Sequence, residues 1–271
     1  MLSSFFSNFI TDFFGTGYIQ KLLITHAETL KEPVRITIGV LAALVIIVAA
    51  YLLGSLNFAI IISGKKYKQD IRQFGSKNAG MTNMMRTYGK TAAAFTLGGD
   101  ALKAVVSCLI GYALLGQMGA YVAGLFCIIG HIFPIYYRFR GGKGVVTAGI
   151  TILMCNPPVF LILITLFLII VLFTRYISLG SVVCIMLYPI ILDRIDRIFL
   201  GGSPYILFAF LIMLLVVFKH IENIKRLYRG EENKFSFKKS VKAPVDEEIV
   251  SDGDEGHTDT QKTKSKKKKK K

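Results

Sequence analysis

The stretch of this chain best suited to chemistry is the first loop, F-G-S-K-N-A-G-M-T-N-M-M-R, residues 74–86. Glycines let the backbone turn tightly and expose N–H groups, and Arg86 adds a planar charge. The small residues and side-chain donors before it are Ser76, Asn78, Gly80, Thr82 and Asn83. This composition suits a phosphate group, although it does not match a Walker loop. An ordinary connection between two apolar runs is the alternative.

A second loop, R-F-R-G-G-K-G, covers residues 138–144 and is both basic and rich in glycine. Lys143 supplies a movable ammonium group flanked by two arginines. The glycines that allow close backbone approach are Gly141, Gly142 and Gly144. The loop can hold a second phosphate or anchor the chain to anionic lipid headgroups. The glycines favour the phosphate site, because an electrostatic anchor does not need them.

Two polar segments occur later in the chain. Ser178 and Ser181 lie at positions i and i+3, so their hydroxyls share one helical face, where bonding to their own backbone is the alternative. The sequence H-I-E-N-I-K-R-L-Y-R-G-E-E, residues 220–232, contains His220, Asn223 and Glu232. A solvated amphipathic helix is the alternative for this last segment.

The elements that must position these segments are apolar helices. The chain has 271 residues, of which 53% are hydrophobic, and its apolar residues occur in long runs. An all-α integral membrane protein with seven transmembrane helices is therefore predicted. The expected spans are residues 36–62, 91–115, 120–137, 143–155, 159–173, 178–192 and 204–218. The fourth is short, because its apolar part, residues 145–155, gives roughly 16 Å of helix against a ~30 Å bilayer core, so it is a short span or includes the preceding loop.

Both ends extend beyond the predicted membrane domain, residues 36–242. Residues 1–35 begin with a phenylalanine-rich segment that has an apolar helical face, which indicates an interfacial helix. Residues 243–271 are acidic and then polylysine, a composition that cannot bury a core and predicts disorder.

The formal charge of +16 raises the question of nucleic-acid binding. Residues 246–271 carry eight lysines and seven acidic residues, so nearly all of the excess lies earlier, mostly in loops between apolar runs. Basic loops of membrane proteins favour the cytoplasm. This rule applies here to the loops 63–90, 138–144 and 174–177 and to the segment from 219 onward. The amino terminus is then outside and the carboxyl terminus inside. Every polar segment described above then lies on one membrane face, beside anionic headgroups, and no nucleic-acid partner is needed.

Cysteines and one pair of charged residues lie inside the apolar runs. Cys108, Cys127, Cys155 and Cys184 have no C-x-x-C spacing, so we interpret them as buried hydrophobes, with neither a disulfide framework nor a metal site. Asp100 and Lys103 share a helical face. They form a mutual ion pair or take a direct part in a site.

Between Tyr51 and Lys239 the chain resembles the PlsY-type acyl-phosphate:glycerol-3-phosphate acyltransferases of bacterial membranes. The resemblance rests on ordered motifs: Y-L-L-G-S at 51–55, G-S-K-N-A-G-M-T-N-x-x-R at 75–86, G-H-x-F-P at 130–134, G-G-K-G-V at 141–145, T-R-Y-I-S-L-G-S at 174–181 and H-x-x-N-I-K-R-L-x-x-G-x-E at 220–232. Three positions depart from the family pattern: Asn57 stands where Pro is usual, and Lys77 and Ala104 where Gly is common.

The resemblance implies a cofactor-independent enzyme of the bacterial cytoplasmic membrane. It would transfer a fatty acyl group from acyl phosphate to the 1-hydroxyl of glycerol 3-phosphate, giving lysophosphatidate and phosphate in the first step of phospholipid synthesis. Motif matching assigns the acyl-phosphate site to Ser76, Asn78, Gly80, Thr82, Asn83 and Arg86. It assigns the glycerol-3-phosphate site to Gly141, Gly142, Lys143, Gly144 and Ser178, and the catalytic group to Ser181, His220, Asn223 and Glu232.

The residues are consistent with that chemistry. No histidine is followed five residues later by aspartate, so the H-x-x-x-x-D motif of acyltransferases that use soluble donors is absent. An acyl phosphate has a good leaving group and needs mainly orientation and charge stabilisation. Either the substrate's own phosphate or His220 accepts the hydroxyl proton. An anion transporter and an inert lipid-binding scaffold are the rival functions.

Overall fold

The computed structural model describes residues 17–26, 31–200, 202 and 204–235, and every regular element within them is helical. The α-helices in this part of the chain are α1 Tyr18–Thr25, α2 Glu32–Ser55, α3 Phe58–Tyr67, α4 Met81–Tyr88, α5 Lys90–Ile132, α6 Val145–Cys155, α7 Pro157–Thr174, α8 Ile177–Leu200 and α9 Ile206–Tyr228. Short 3-10 turns lie at Ile71–Gln73 and Ile135–Tyr137. The phenylalanine cluster of the predicted interfacial helix and the predicted disordered tail lie outside the described residues.

Helix α5 is a hairpin of two arms, because its backbone leaves the helical conformation at Leu115 and Gly116. In a straight helix Gly111 and Gly119 would lie about 12 Å apart. Instead, a Cβ atom on either glycine would lie within 2.1 Å of the carbonyl oxygen of the other. The arms therefore pack antiparallel through small residues, as close helix pairs in membranes do. This reversal separates the predicted second and third spans.

Two predicted spans differ from the helices in the structure. The first was expected over residues 36–62, and it consists of two helices within one apolar stretch, because α2 ends at Ser55 and α3 begins at Phe58. Asn57 caps the new helix by accepting a hydrogen bond from Ile60 N at 3.1 Å. The third was expected to reach Tyr137, but its helix ends at Ile132. Pro134 explains this end, since a proline disfavours helical geometry at the residue before it.

The outer surface of the bundle is apolar. Leu172 and Phe173 at the end of α7 are 76% and 80% exposed, and much of α2 is similarly uncovered. Among the described residues, four helical segments are long and apolar enough to cross a membrane, or five if α9 counts as one span despite its 58° bend between Lys219 and Ile221. Water would disfavour such a surface, whereas lipid solvates it. The chain is therefore a multi-pass membrane protein.

Two packed regions position the polar segments. The larger core joins the second arm of α5 to α6, α7, α8 and α9, with Tyr188 and Ile212 fully buried. A smaller core of Ala59, Ile71, Ala79 and Met84 lies beneath the first loop. The first loop is therefore a folded element rather than a loose connection. The four cysteines are buried free thiols, as predicted.

Candidate active site

The first loop is organised around the buried side chain of Asn83. Its amide nitrogen donates to the carbonyl oxygens of Ile71, Phe74 and Asn78 at 3.2, 2.9 and 3.0 Å. Its amide oxygen accepts from Ser76 N at 2.9 Å. Gly75 has φ +56°, and a Cβ there would lie 2.2 Å from the same oxygen. Both the oxygen and the nitrogen of the Asn83 side-chain amide therefore stabilise the loop.

The remaining predicted donors of this loop are available to a ligand. Ser76, Asn78, Gly80 and Thr82 are partly exposed, and the hydroxyls of Ser76 and Thr82 bond to no other described residue. Gly80 precedes the first turn of α4, whose N-terminus carries a partial positive charge. The loop thus presents hydroxyls and backbone N–H groups in the arrangement that suits an anion.

The glycines of the second loop allow it to lie directly against the end of α5. Gly141 N and Gly142 N donate to the carbonyl oxygens of Ile132 and His131 at 3.2 and 3.1 Å. A Cβ on Gly142 would lie 2.1 Å from His131 Nε2 and 2.7 Å from Ala79 O of the first loop. Gly144 has φ +80°. Packing therefore requires Gly141 and Gly142, and the backbone conformation favours glycine at position 144.

Glu232 organises the third group of polar residues. Its Oε1 accepts hydrogen bonds from Ser178 Oγ at 2.9 Å and Asn223 Nδ2 at 2.8 Å, and its Oε2 accepts from Arg226 Nε at 2.8 Å. Partial burial raises the pKa of this carboxyl, but these three donors together hold the pKa below its ordinary value. Glu232 is therefore a fixed anion that orients its neighbours.

Lys143 joins the second loop to this group by donating to Asn223 Oδ1. Burial lowers the pKa of Lys143 to about 8, with Glu232 opposing the shift and Arg226, Arg86 and Lys219 adding to it. One carboxylate thus faces several cations. This surplus of positive charge suits phosphate.

The first loop and the turn just before it are hydrogen-bonded to the second loop and to the segment around Glu232. Arg86 Nη2 lies 3.4 Å from Asn233 O, next to Glu232. Arg72, which is ion-paired with Asp70, donates from Nη1 to the carbonyl oxygens of Tyr137 and Arg140, both at 3.0 Å. The three polar segments are therefore joined into one site.

Two of the predicted catalytic residues are held by their own helices. His220 is buried at the bend of α9, where Nδ1 donates to Val216 O at 2.7 Å and leaves Nε2 as the nitrogen able to accept a proton. Ser181 Oγ donates to Ile177 O at 2.9 Å. Ser178 reaches Glu232, but no hydrogen bond among the described residues joins Ser181 to that carboxylate.

Several residues of this site were not predicted from the sequence as site residues. Arg72 approaches it from the 3-10 turn before the first loop, and Lys219 and Arg226 approach it from α9. Asn57 donates from Nδ2 to Ala79 O at 3.3 Å. Only Asn57 had a recognisable signal, because an asparagine directly before an apolar run is typical of a helix N-cap. The arginines had no such signal, because the partners of Arg72 are distant in sequence and the partner of Arg226 lies beyond the end of its helix.

Fold and site together define an all-helical integral membrane protein with a polar, cation-rich site built from two loops and the adjoining ends of α8 and α9. The family model described as "Glycerol-3-phosphate acyltransferase" matches residues 44–230, and the chain belongs to that family. It is 44% identical over 190 residues to the glycerol-3-phosphate acyltransferase of Finegoldia magna, covering 69% of this chain and 93% of the relative. It is 36% identical to that of Thermoanaerobacter pseudethanolicus, covering 72% and 96%.

Two solved structures have the same fold. Both are crystal structures of PlsY (YgiH), described as an integral membrane glycerol 3-phosphate acyltransferase. The glycerol 3-phosphate form is 33% identical, with a TM-score of 0.66. The lysophosphatidic acid form is 34% identical, with a TM-score of 0.63. Each match covers 72% of this chain and 96% of the solved chain, so a PlsY-type enzyme, as the motifs predicted, is confirmed.

Proposed function

We propose that this enzyme transfers a fatty acyl group from acyl phosphate to the 1-hydroxyl of glycerol 3-phosphate, releasing lysophosphatidate and inorganic phosphate. One observation carries the proposal: the first and second loops, which both have a composition suited to phosphate, contact each other at Ala79 and Gly142. Two loops can hold two phosphates, one on each substrate. A glycerol 3-phosphate form and a lysophosphatidic acid form of the PlsY relative support the second substrate and the product.

The first loop is our proposed site for the phosphate of the acyl donor. Ser76, Asn78, Gly80 and Thr82 provide hydroxyl, amide and backbone donors, and Arg86 provides the charge. Asn83 belongs to this site as the residue that shapes it, because its amide is engaged by the loop backbone. The acyl chain then extends toward the apolar surface of the bundle, as expected for a lipid substrate.

Glycerol 3-phosphate binds in our proposal at the second loop. Lys143 pairs with the substrate phosphate, and Gly141, Gly142 and Gly144 belong to this site as the residues that let the loop lie against α5. Ser178, Asn223 and Glu232 form the hydrogen-bonded group that positions Lys143. Ser181 lies one helical turn beyond Ser178 and completes this side of the site.

The chemical step is an attack of the 1-hydroxyl oxygen on the acyl carbonyl carbon. The new ester C–O bond forms as the C–O bond to phosphate breaks, and the phosphate leaves with the bonding electron pair. The hydroxyl proton passes to a phosphate oxygen of a substrate or to His220 Nε2. Orienting both substrates and stabilising the leaving phosphate supply most of the rate acceleration.

We also propose seven spans in a bacterial cytoplasmic membrane, with the amino terminus outside and the carboxyl terminus in the cytoplasm. Counting the two arms of α5 separately, helices lie at all seven predicted segments. Hydrogen bonds of Arg72 to Arg140, Lys143 to Asn223 and Arg86 to Asn233 support a common end for the basic segments. A transporter would need a polar site open at mid-membrane. Asp100 and Lys103 do not provide one, because the carboxylate and ammonium pair with each other at 2.8 Å.

The decisive experiment compares acyl donors. Purified protein receives labelled glycerol 3-phosphate with acyl phosphate, acyl-CoA or acyl carrier protein in separate reactions. We expect labelled lysophosphatidate and stoichiometric phosphate release from acyl phosphate only. Equal or faster acylation from either thioester donor would refute the donor assignment.

A further inference from the structure

A buried network of Asp100, Lys103 and His131 lies beneath both loops, outside the residues that contact substrate in the proposed function. Asp100 and Lys103 are one turn apart on the first arm of α5, and His131 lies near the end of the second arm. The hairpin brings Lys103 Nζ to 2.9 Å from His131 Nδ1, and all three residues are at most 4% exposed. Burying two charges is costly, so the arrangement requires an explanation.

The ammonium of Lys103 has a complete set of partners. It donates to Gly54 O at 2.9 Å, to Leu56 O at 2.7 Å and to His131 Nδ1, while Asp100 Oδ1 at 2.8 Å balances its charge. The two carbonyls belong to the end of α2, where a helix leaves acceptors without intrahelical partners. Lys103 thus fixes the break between α2 and α3 from which Asn57 reaches the first loop.

His131 carries the network to the second loop. Its Nδ1 lies 2.9 Å from the ammonium nitrogen and 3.5 Å from Asp100 Oδ1, and its Nε2 edge faces Gly142. The backbone of His131 also accepts a hydrogen bond from Gly142 N at 3.1 Å. Gly142 in turn lies against Ala79 O, the atom that accepts from Asn57. One buried ion pair therefore supports both loops at their point of contact.

We propose that Asp100, Lys103 and His131 are positioning residues that set the distance between the two phosphate sites. The inference rests on the proposed function, because two sites matter only if two substrates react. A loop displaced by a fraction of an ångström still binds its own phosphate, but it holds the hydroxyl and the acyl carbon out of line. Acyl transfer is sensitive to this displacement, whereas binding of either substrate is not.

The kinetic test uses His131→Asn, because the asparagine side chain keeps an acceptor near Nδ1 for Lys103 and removes the ring edge that faces Gly142. We expect kcat to fall about 10- to 100-fold while KM for glycerol 3-phosphate stays within about threefold. Thr96→Val is the control: Thr96 is buried in the first arm of α5, one turn before Asp100, and donates to Ala92 O. We expect its kcat to stay within about twofold. A rise in KM with unchanged kcat in His131→Asn would overturn the proposal.

A distance measurement separates positioning from activity. Lys77 and Arg138 are exposed and lie in the two loops, so cysteines there accept spin labels while the four native cysteines stay buried. We expect a narrow label-to-label distance distribution in the otherwise unchanged protein and in Thr96→Val, and a broadened or shifted one in His131→Asn. Identical distributions in all three proteins refute positioning whatever the activity. If the unsubstituted protein transfers no acyl group from acyl phosphate, the proposed function fails while the distances still decide this inference.

Discussion

Lys143 donates a hydrogen bond to the amide oxygen of Asn223, a residue 80 positions further along the chain. The nitrogen of the same amide donates to Glu232 at 2.8 Å. The direction of the Lys143 ammonium group is therefore set by a carboxylate that it does not need to contact. Changes at Lys143, Asn223 and Glu232 should consequently affect the same substrate.

Replacing Lys143 with methionine removes the charge but keeps most of the side-chain length. Because hydrogen bonds to charged groups contribute about 1.5 to 3 kcal/mol, we expect KM for glycerol 3-phosphate to rise roughly 10- to 100-fold, with less effect on KM for the acyl donor. Initial rates with each substrate varied in turn measure this. Lys65→Met, at an exposed position, is the control. Equal changes in both KM values would contradict the assignment of Lys143.

The pKa of about 8 at Lys143 predicts an alkaline limit to activity. Below this pH the ammonium is protonated and pairs with phosphate; as the pH rises through about 8 the charge is lost, so kcat/KM for glycerol 3-phosphate should fall. Arginine stays charged over this range, so Lys143→Arg should abolish the alkaline limb of the profile, which is the fall in kcat/KM above about pH 8. A profile of Lys143→Arg with an unchanged limb near pH 8 would assign the titration to another group.

Glu232→Gln tests the coupling between the carboxylate and the lysine. Glutamine retains an oxygen for Ser178 and Asn223 but loses the charge that pairs with Arg226 and raises the pKa of Lys143. The alkaline limb should therefore move below pH 8, and kcat/KM at neutral pH should fall about tenfold. A limb that stays in place would show that Glu232 does not act on Lys143.

Ser76→Ala and Asn83→Ala should differ in what they damage. Ser76→Ala removes a free hydroxyl, so we expect a raised KM for acyl phosphate and an unchanged melting temperature. Asn83→Ala leaves three carbonyls and one N–H without their partner and should cost about 2 to 4 kcal/mol of stability in addition. Melting curves in detergent and donor-dependent rates measure the two effects. Equal melting temperatures for the two variants would contradict the role of Asn83 in holding the loop together.

His220→Ala distinguishes the two proton acceptors. If His220 Nε2 accepts the hydroxyl proton, the variant should lose the acidic limb of the pH profile of kcat as well as activity. If a substrate phosphate accepts it, the profile should keep its shape. His220→Gln, which keeps a polar group in the bend of α9, is the comparison for damage caused by packing alone.

Much of the helical order could be predicted because long apolar runs leave the backbone few alternatives in lipid. The helix bounds differ from the predicted spans where a single capping residue or proline determines a helix end. The first span was predicted over residues 36–62, and Asn57 caps a new helix within it. The third was predicted to reach Tyr137, but its helix ends at Ile132, before Pro134. Apolar composition marks the length of a run but does not locate a cap within it.

The sequence alone determined the helical class, the four polar segments and, through their ordered motifs, the family. These features are local, since each depends on residue types at fixed spacing. The tertiary structure decided how the segments meet. Only the reversal at Gly116 brings Lys103 to His131, and only the packing of Gly142 between His131 and Ala79 joins the two loops. The first loop, which by composition was either a phosphate site or a connection, is therefore a folded part of one shared site.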